Sequence, residues 1–195
     1  EIKSKSSELA PILEQRLRSI QGWDPGRIRK LDDGTFAVDL SKLQWTSLEP
    51  LESMPVSELT LSDSGAGLPA QAFDALHRVP LRSLTVRNGG LKSVEFLKGI
   101  QLEHLVLANN PITDISSLAD LPIQSINLAD TNVRDLNPLG KCPLLEKVVL
   151  PKGAETSEAL RSHSNIQRIS FREAADGSPA ETAEQFWKDI PEPPK

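Results

Sequence analysis

Leu102-Glu-His-Leu-Val-Leu-Ala-Asn-Asn-Pro-Ile-Thr-Asp-Ile-Ser-Ser-Leu-Ala-Asp-Leu-Pro122 runs directly into Ile123-Gln-Ser-Ile-Asn-Leu-Ala-Asp-Thr-Asn-Val-Arg-Asp-Leu-Asn-Pro-Leu-Gly-Lys-Cys-Pro143. The two stretches match position by position. Each carries a short triplet, Leu105-Val106-Leu107 or Ile126-Asn127-Leu128, that alternates inward and outward as a strand requires. Working outward, the triplet recurs at Leu59-Thr60-Leu61, Leu84-Thr85-Val86, Val148-Val149-Leu150 and Ile169-Ser170-Phe171, with successive steps of 25, 21, 21, 22 and 21 residues. A fixed period in this range specifies a solenoid, because one such unit cannot bury its apolar face alone.

Both stretches fit L-x-x-L-x-L-x-x-N/T-x-I/V-x-D-L-x-x-L-x-x-hydrophobic-P, the leucine-rich repeat pattern. Asn110 and Thr131 stand where the chain leaves the sheet, where a short polar side chain can satisfy backbone groups. Ile112 and Val133 return inward. Ile115, Leu118 and Leu121, like Leu136, Leu139 and Cys142, fill the return side, and Pro122 and Pro143 close each coil. Twenty-one residues leave little room for a full helix, so 3₁₀ or extended backing is expected. Phe36 to Pro55 fits the same register, with Leu43 at the Asn110 position, giving about seven coils. Ser64, Gly89 and Gly153 also occupy that position, so a polar ladder would be interrupted. Leu68, Phe73, Leu76 and Val79 give the longer coil a helical return segment. The fold class expected is α/β: a right-handed leucine-rich repeat superhelix with a parallel sheet on its concave face and helical caps.

Caps are needed because a terminal coil exposes its apolar strip. Ser7 is placed to N-cap a helix to about Ile20, with Leu9, Ile12, Leu13, Leu17 and Ile20 apolar and Gly22 as its stop. Arg27 to Leu40 reads as a hairpin around Asp32-Asp33-Gly34. Glu181 to Ile190 reads as a helix whose Phe186 and Trp187 cover the last strand, with Pro191, Pro193 and Pro194 ending structure. The organisation expected is a cap at 1–24, a hairpin and first coil at 25–55, repeats at 56–172 and a cap with a Pro-rich tail at 173–195.

Net charge is −5 with a pI near 5.3, an acidity that argues against nucleic acid, whose binders carry a basic face. The lone Cys142 rules out an intrachain disulfide. No run of eighteen apolar residues and no signal peptide is present. The start at Glu1 is what a processed chain or an excised part of a longer one would show.

Chemistry has little foothold. No phosphate loop, kinase catalytic loop, nucleophile elbow or zinc pattern occurs, and Gly65-Ala66-Gly67 reads as a loop. Cys142 could act as a nucleophile, yet its repeat position matches Leu121, Val79 and Met54, so a small core hydrophobe is expected. His77, His104 and His163 lack metal-ligand spacing; His77 and His163 read as solvated. Asp114 and Asp135 recur at one position, where an Asx turn competes with acid–base work. Trp23, Trp45 and Trp187 read as packing residues. No cofactor and no metal are expected.

Partner recognition is assigned to the outward columns of the sheet. They are Ala37, Glu58, Ser83, His104, Ser125, Lys147, Arg168; Asp39, Thr60, Thr85, Val106, Asn127, Val149, Ser170; and Ser41, Ser62, Arg87, Ala108, Ala129, Pro151, Arg172. They are mostly small and lack aromatic anchors. Charge passes from Asp39, Glu58 and Asp63 at the front to Lys147, Lys152, Arg168 and Arg172 at the back. This is either a gradient that orients a partner or scattered surface charge. The candidate partner-binding residues are Arg87, His104, Asn127, Lys147 and Arg168.

Asp114-Ile-Ser-Ser-Leu118 and Asp135-Leu-Asn-Pro-Leu139 resemble the D-L-S-P-L element of bacterial repeat proteins. With Leu150-Pro151, Glu158-Ala-Leu160-Arg161, Ile166-Gln-Arg-Ile169 and Ala183-Glu-Gln-Phe186-Trp187-Lys188, residues 25 to 190 are similar in layout to the C-terminal repeat region of planctomycete-type serine/threonine protein kinases. That resemblance implies a non-catalytic sensory or scaffolding module that binds a protein. It also implies a kinase domain upstream and cell-envelope or extracytoplasmic placement through a membrane anchor. A cytoplasmic home fits the lone cysteine equally. The competing reading is a free-standing surface or adhesion-type repeat protein, and an enzyme comes last.

Overall fold

The computed structural model describes residues 2–63, 70–155 and 158–190, apart from the side chains of 2–7 and 70. Ser64, Gly65-Ala66-Gly67, Leu68 and the closing prolines lie outside the described residues. The alternating triplets become strands of one eight-stranded sheet whose spatial order is the chain order. β1 (Ile28–Lys30) and β2 (Phe36–Asp39) form the antiparallel hairpin. Then β3 (Val56–Thr60), β4 (Ser83–Thr85), β5 (His104–Val106), β6 (Ser125–Asn127), β7 (Lys147–Val149) and β8 (Arg168–Ser170) follow in parallel. The register is the expected one: His104 faces Ser125, then Lys147, then Arg168, and Thr85 faces Val106, then Asn127. The chain is a leucine-rich repeat solenoid.

The inward residue of each triplet builds the core. Leu84, Leu105, Ile126, Val148 and Ile169 are at most 1% exposed, each contributing about 1.5–3 kcal/mol through removal from water. One cluster continues from Leu13 to Phe186. Coils leave the sheet through a recurrent left-handed residue: Lys42, Asp63, Asn88, Asn109 and Asp130 all have φ between 51° and 61°. Asn and Asp tolerate this region best, and four of these five exits carry one of them.

Asn110 then ties two coils together. Its Oδ1 accepts from the amides of Gly89 (3.0 Å) and Leu91 (3.1 Å). Its Nδ2 donates to the carbonyls of Val86, Leu107 and Ala108 at 2.7–3.2 Å. Gly89 holds the ladder position one coil earlier because a Cβ there would lie 2.6 Å from Val86 Cγ1 and 3.4 Å from Asn110 Oδ1. Asp114 and Asp135 accept from the amides of Ser116 (2.8 Å) and Asn137 (2.9 Å), forming Asx turns that start the 3₁₀ backing. The Ser116 amide holds the Asp114 carboxyl below the usual carboxylate range.

Two expectations for the first cap are corrected. The first helix, α1 (Ile2–Leu17), places Ser7 within it rather than at its cap, and stops before Ile20. Leu13, Leu17 and Ile20 face the core, whereas Ile12 is 44% exposed, because it lies about 100° round the helix from Leu13. The long return segment Ala70–Arg78 is 3₁₀ throughout; Phe73, Leu76 and Val79 are buried at intervals of three, the 3₁₀ period.

After α2 (Glu158–Arg161), the chain closes with α3 (Ala183–Asp189), started by a Thr182–Gln185 capping box. Phe186 is buried with its ring 5.4 Å from Phe171, and Trp187 stacks under Arg161 at 4.8 Å. The amide of Ile169 donates to Glu181 O (3.3 Å) and that of Ala183 to Gln167 O (2.9 Å), so this segment pairs with the free edge of β8.

Candidate functional site

The outer face of the sheet is where sequence alone placed recognition. His104, Lys147 and Arg168 open β5, β7 and β8 in one column. Asn127 ends β6 in the middle column, and Arg87 follows β4. The parallel ladder continues past the strands, with Asp63 N donating to Arg87 O (2.9 Å) and Asn109 N to Ala129 O (2.9 Å). Side chains on this face are therefore held at strand spacing, about 4.8 Å from coil to coil.

The C-terminal half of this face is already covered. Residues 173–179 form a hairpin whose ends pair as Glu173 with Pro179. Ala174 N donates to Ser178 O (2.8 Å) and Gly177 N to Ala174 O (3.0 Å). Gly177 sits at φ +79°, the left-handed residue that closes a three-residue hairpin loop. Asp176 accepts from the Ser178 amide at 3.0 Å, and the Ser178 hydroxyl first, then this amide, lower its carboxyl pKa.

This hairpin engages three of the five candidates. Arg87 binds the Glu173 carboxylate through both terminal nitrogens, at 3.0 and 3.4 Å. Asn127 donates its side-chain amide to the same carboxylate and to Gly177 O (3.1 Å). The Asn127 Oδ1 accepts from Ala129 N (3.0 Å), which fixes the amide with its donor end toward the hairpin. Arg168 grips Pro179 O with Nε (3.0 Å) and Nη2 (2.7 Å). Ala180 N donates to Ser170 Oγ (2.9 Å), and Arg172 pairs with Glu181 (3.2 Å). In consequence Asn127, Val149 and Ser170, outward by register, are at most 3% exposed.

His104 and Lys147 stay exposed: their backbone amides donate to Arg82 O (3.0 Å) and Gln124 O (3.0 Å), while their side chains stand open on the outer face. They are two strands apart in one column, about 10 Å. At the front, Arg29 pairs with Glu58 (3.0 Å) and Arg27 with Asp39 (4.0 Å) around a shallow depression of about 590 Å³ that also reaches Thr60. Lys152 pairs with Asp130 (3.2 Å). The charges of the front-to-back gradient are thus largely neutralised by local partners.

Other candidates resolve into structural roles. Cys142 is fully buried, with its thiol 3.3 Å from Leu118 O; burial, aided by the Asp120 charge, pushes its pKa up to about 11. It is held as a thiol. His163, read as solvated, is half-buried instead: its Nε2 meets Cys142 O (2.9 Å) and its Nδ1 accepts from Asn165 N (3.4 Å). His77 is exposed, and Trp45 is buried edge-on to Phe73 (5.7 Å). Among the described residues, no group of three or more His, Cys, Asp or Glu could hold a metal, and no helix is long and apolar enough to cross a membrane.

The residues on this face that sequence reasoning missed are Glu173 and Gly177. Asp176-Gly177 is a hairpin signal, but it falls between the last triplet and the cap helix, beyond the repeat register.

No family model matches the chain, and no curated protein matches it. Solved structures do. Internalin C2 from Listeria monocytogenes superimposes with a TM-score of 0.52 at 22% identity, covering 65% of this chain and 66% of that one. An internalin F from the same organism gives 0.51 at 20% identity, covering 65% of this chain and 44% of that one. The chain thus spans less than two thirds of the length of those internalins, and the likeness is one of fold.

Proposed function

We propose that this chain is a non-catalytic recognition module that binds a protein partner through the outer face of its sheet. The observation that supports this most is that the face already holds a peptide segment. Arg87, Asn127 and Arg168 engage a carboxylate and two backbone carbonyls of the 173–179 hairpin. Beside that segment, His104 and Lys147 remain open to a partner. No nucleic acid is proposed as ligand: the face carries paired acids at one end and lacks a basic stripe.

The larger setting proposed is the sensory or scaffolding region of a bacterial serine/threonine kinase-like protein of the cell envelope, supported by the D-L-x-P-L elements and the closing Phe-Trp-Lys. The second reading is a free-standing surface or adhesion-type repeat protein, which the likeness in fold to internalins favours. The genomic sequence upstream separates them: kinase motifs with a membrane span support the first, a secretory signal alone the second. The binding reading is tested by capture from a native lysate with the chain as bait. Lys147→Glu with His104→Ala is expected to reduce capture of the partner at least about tenfold. Capture unchanged by that pair contradicts the assignment of the face.

A further inference from the structure

We infer that Arg87 and Asn127 form a carboxylate-reading subsite, filled in cis by Glu173, which an acidic turn of the protein partner fills when it displaces the hairpin. This inference rests on the recognition reading above and names the chemistry that the face selects.

The subsite presents donors only. Arg87 offers a planar guanidinium matched to a carboxylate, and both of its terminal nitrogens meet Glu173 across 86 residues of sequence. Asn127 is 3% exposed, and its oxygen is committed to Ala129 N, so only its amide donor faces outward. A neutral amide in place of the carboxylate would set its own NH₂ against these donors. The adjoining bond from Asn127 to Gly177 O shows that the subsite also takes the backbone carbonyl of a turn. Its selectivity is therefore for a carboxylate displayed on a turn.

The present occupant is poorly anchored otherwise. Of residues 173–179 only Pro179 is buried. A two-stranded hairpin is marginal by itself in water, and this one is held by exposed or half-buried polar contacts. A competing acidic turn gains what the hairpin leaves unused, the exposed His104 and Lys147 in the neighbouring column. Like signs across such a contact would be costly, so an acidic partner segment is the one that fits.

The test uses the full chain and a fluorescently labelled synthetic peptide of residues 171–181, with a second peptide carrying Glu173→Gln. Anisotropy is expected to show the Glu173→Ala chain binding the first peptide about tenfold more tightly than wild type. The Gln peptide should lose that gain, and Glu173→Ala with Arg87→Ala should not bind. Circular dichroism checks folding, and Glu173→Gln in the chain replaces Glu173→Ala if the latter unfolds. Equal binding by wild type and variant, or equal binding of the two peptides, overturns the subsite. Dimerisation of the Glu173→Ala chain by exchange of hairpins overturns the partner in favour of a second copy. Failure here with partner capture still dependent on Lys147 removes the subsite and leaves the recognition reading standing.

Discussion

Asn110→Ala is the substitution the solenoid should feel most for its size. The side chain is 1% exposed and makes five hydrogen bonds to backbone groups of two adjacent coils. Truncation leaves the amides of Gly89 and Leu91 without their acceptor inside the coil. A buried donor left unsatisfied costs about 1–3 kcal/mol, so the pair costs about 2–6 kcal/mol before water enters the space vacated. With partial hydration, about 3–4 kcal/mol is expected, a large part of the ~5–15 kcal/mol typical of a domain. Thr131, the same position one coil on, makes only one such bond, from Oγ1 to Leu128 O (2.8 Å). Thr131→Val should therefore cost about 1 kcal/mol. Urea denaturation monitored by circular dichroism reads both, and the thermal midpoint should fall by about 2–4 °C per kcal/mol. An Asn110→Ala loss below about 1 kcal/mol, or one no larger than that of Thr131→Val, would refute the view that this amide joins the coils.

The Cys142 thiol should resist alkylation at neutral pH until denaturant is added; fast native reaction would mean that the coil opens there. Its pKa is raised from 9.0 to about 11 in the folded chain, so stability is undiminished by this thiol below about pH 9 and falls as pH rises toward 11, where the unfolded thiol ionises first; urea midpoints measured across that window check the sign. Gly89→Ala forces a Cβ to within 2.6 Å of Val86 Cγ1 and crowds Asn110; a loss of about 1–3 kcal/mol is expected in the same denaturation assay. Thr182→Ala breaks the capping box of α3; about 1 kcal/mol should be lost, with faster amide exchange in the last coil.

Much of the fold was legible because periodicity is a local property repeated. Once Leu105 and Ile126 were aligned, every strand and the pairing of His104 with Ser125 and Lys147 followed from counting. The left-handed exits were also encoded, in Asp63, Asn88, Asn109 and Asp130, but as single residues without a pattern of hydrophobicity. The return of Ala70–Arg78 as 3₁₀ could not be told from α by spacing alone, since Phe73, Leu76 and Val79 satisfy both periods. The register of the outer-face columns is legible in the sequence, whereas the hairpin that covers part of them is not. Nothing periodic links Glu173 to Arg87, and a contact across 86 residues depends on where a hairpin folds after the repeats end. His163 was misread for a similar reason, because its partner, a backbone carbonyl of the previous coil, leaves no trace in composition.

The outer face is proposed to be a peptide-holding surface that the chain closes over itself. Amide hydrogen exchange at Ala174, Gly177 and Ala180 addresses this directly, since each donates within the closed hairpin or to Ser170. Wild type should protect all three. Arg87→Ala should speed their exchange about five- to tenfold while leaving the β5 amides unchanged, the mark of a local opening. Unprotected amides in wild type, or exchange indifferent to Arg87, would contradict it.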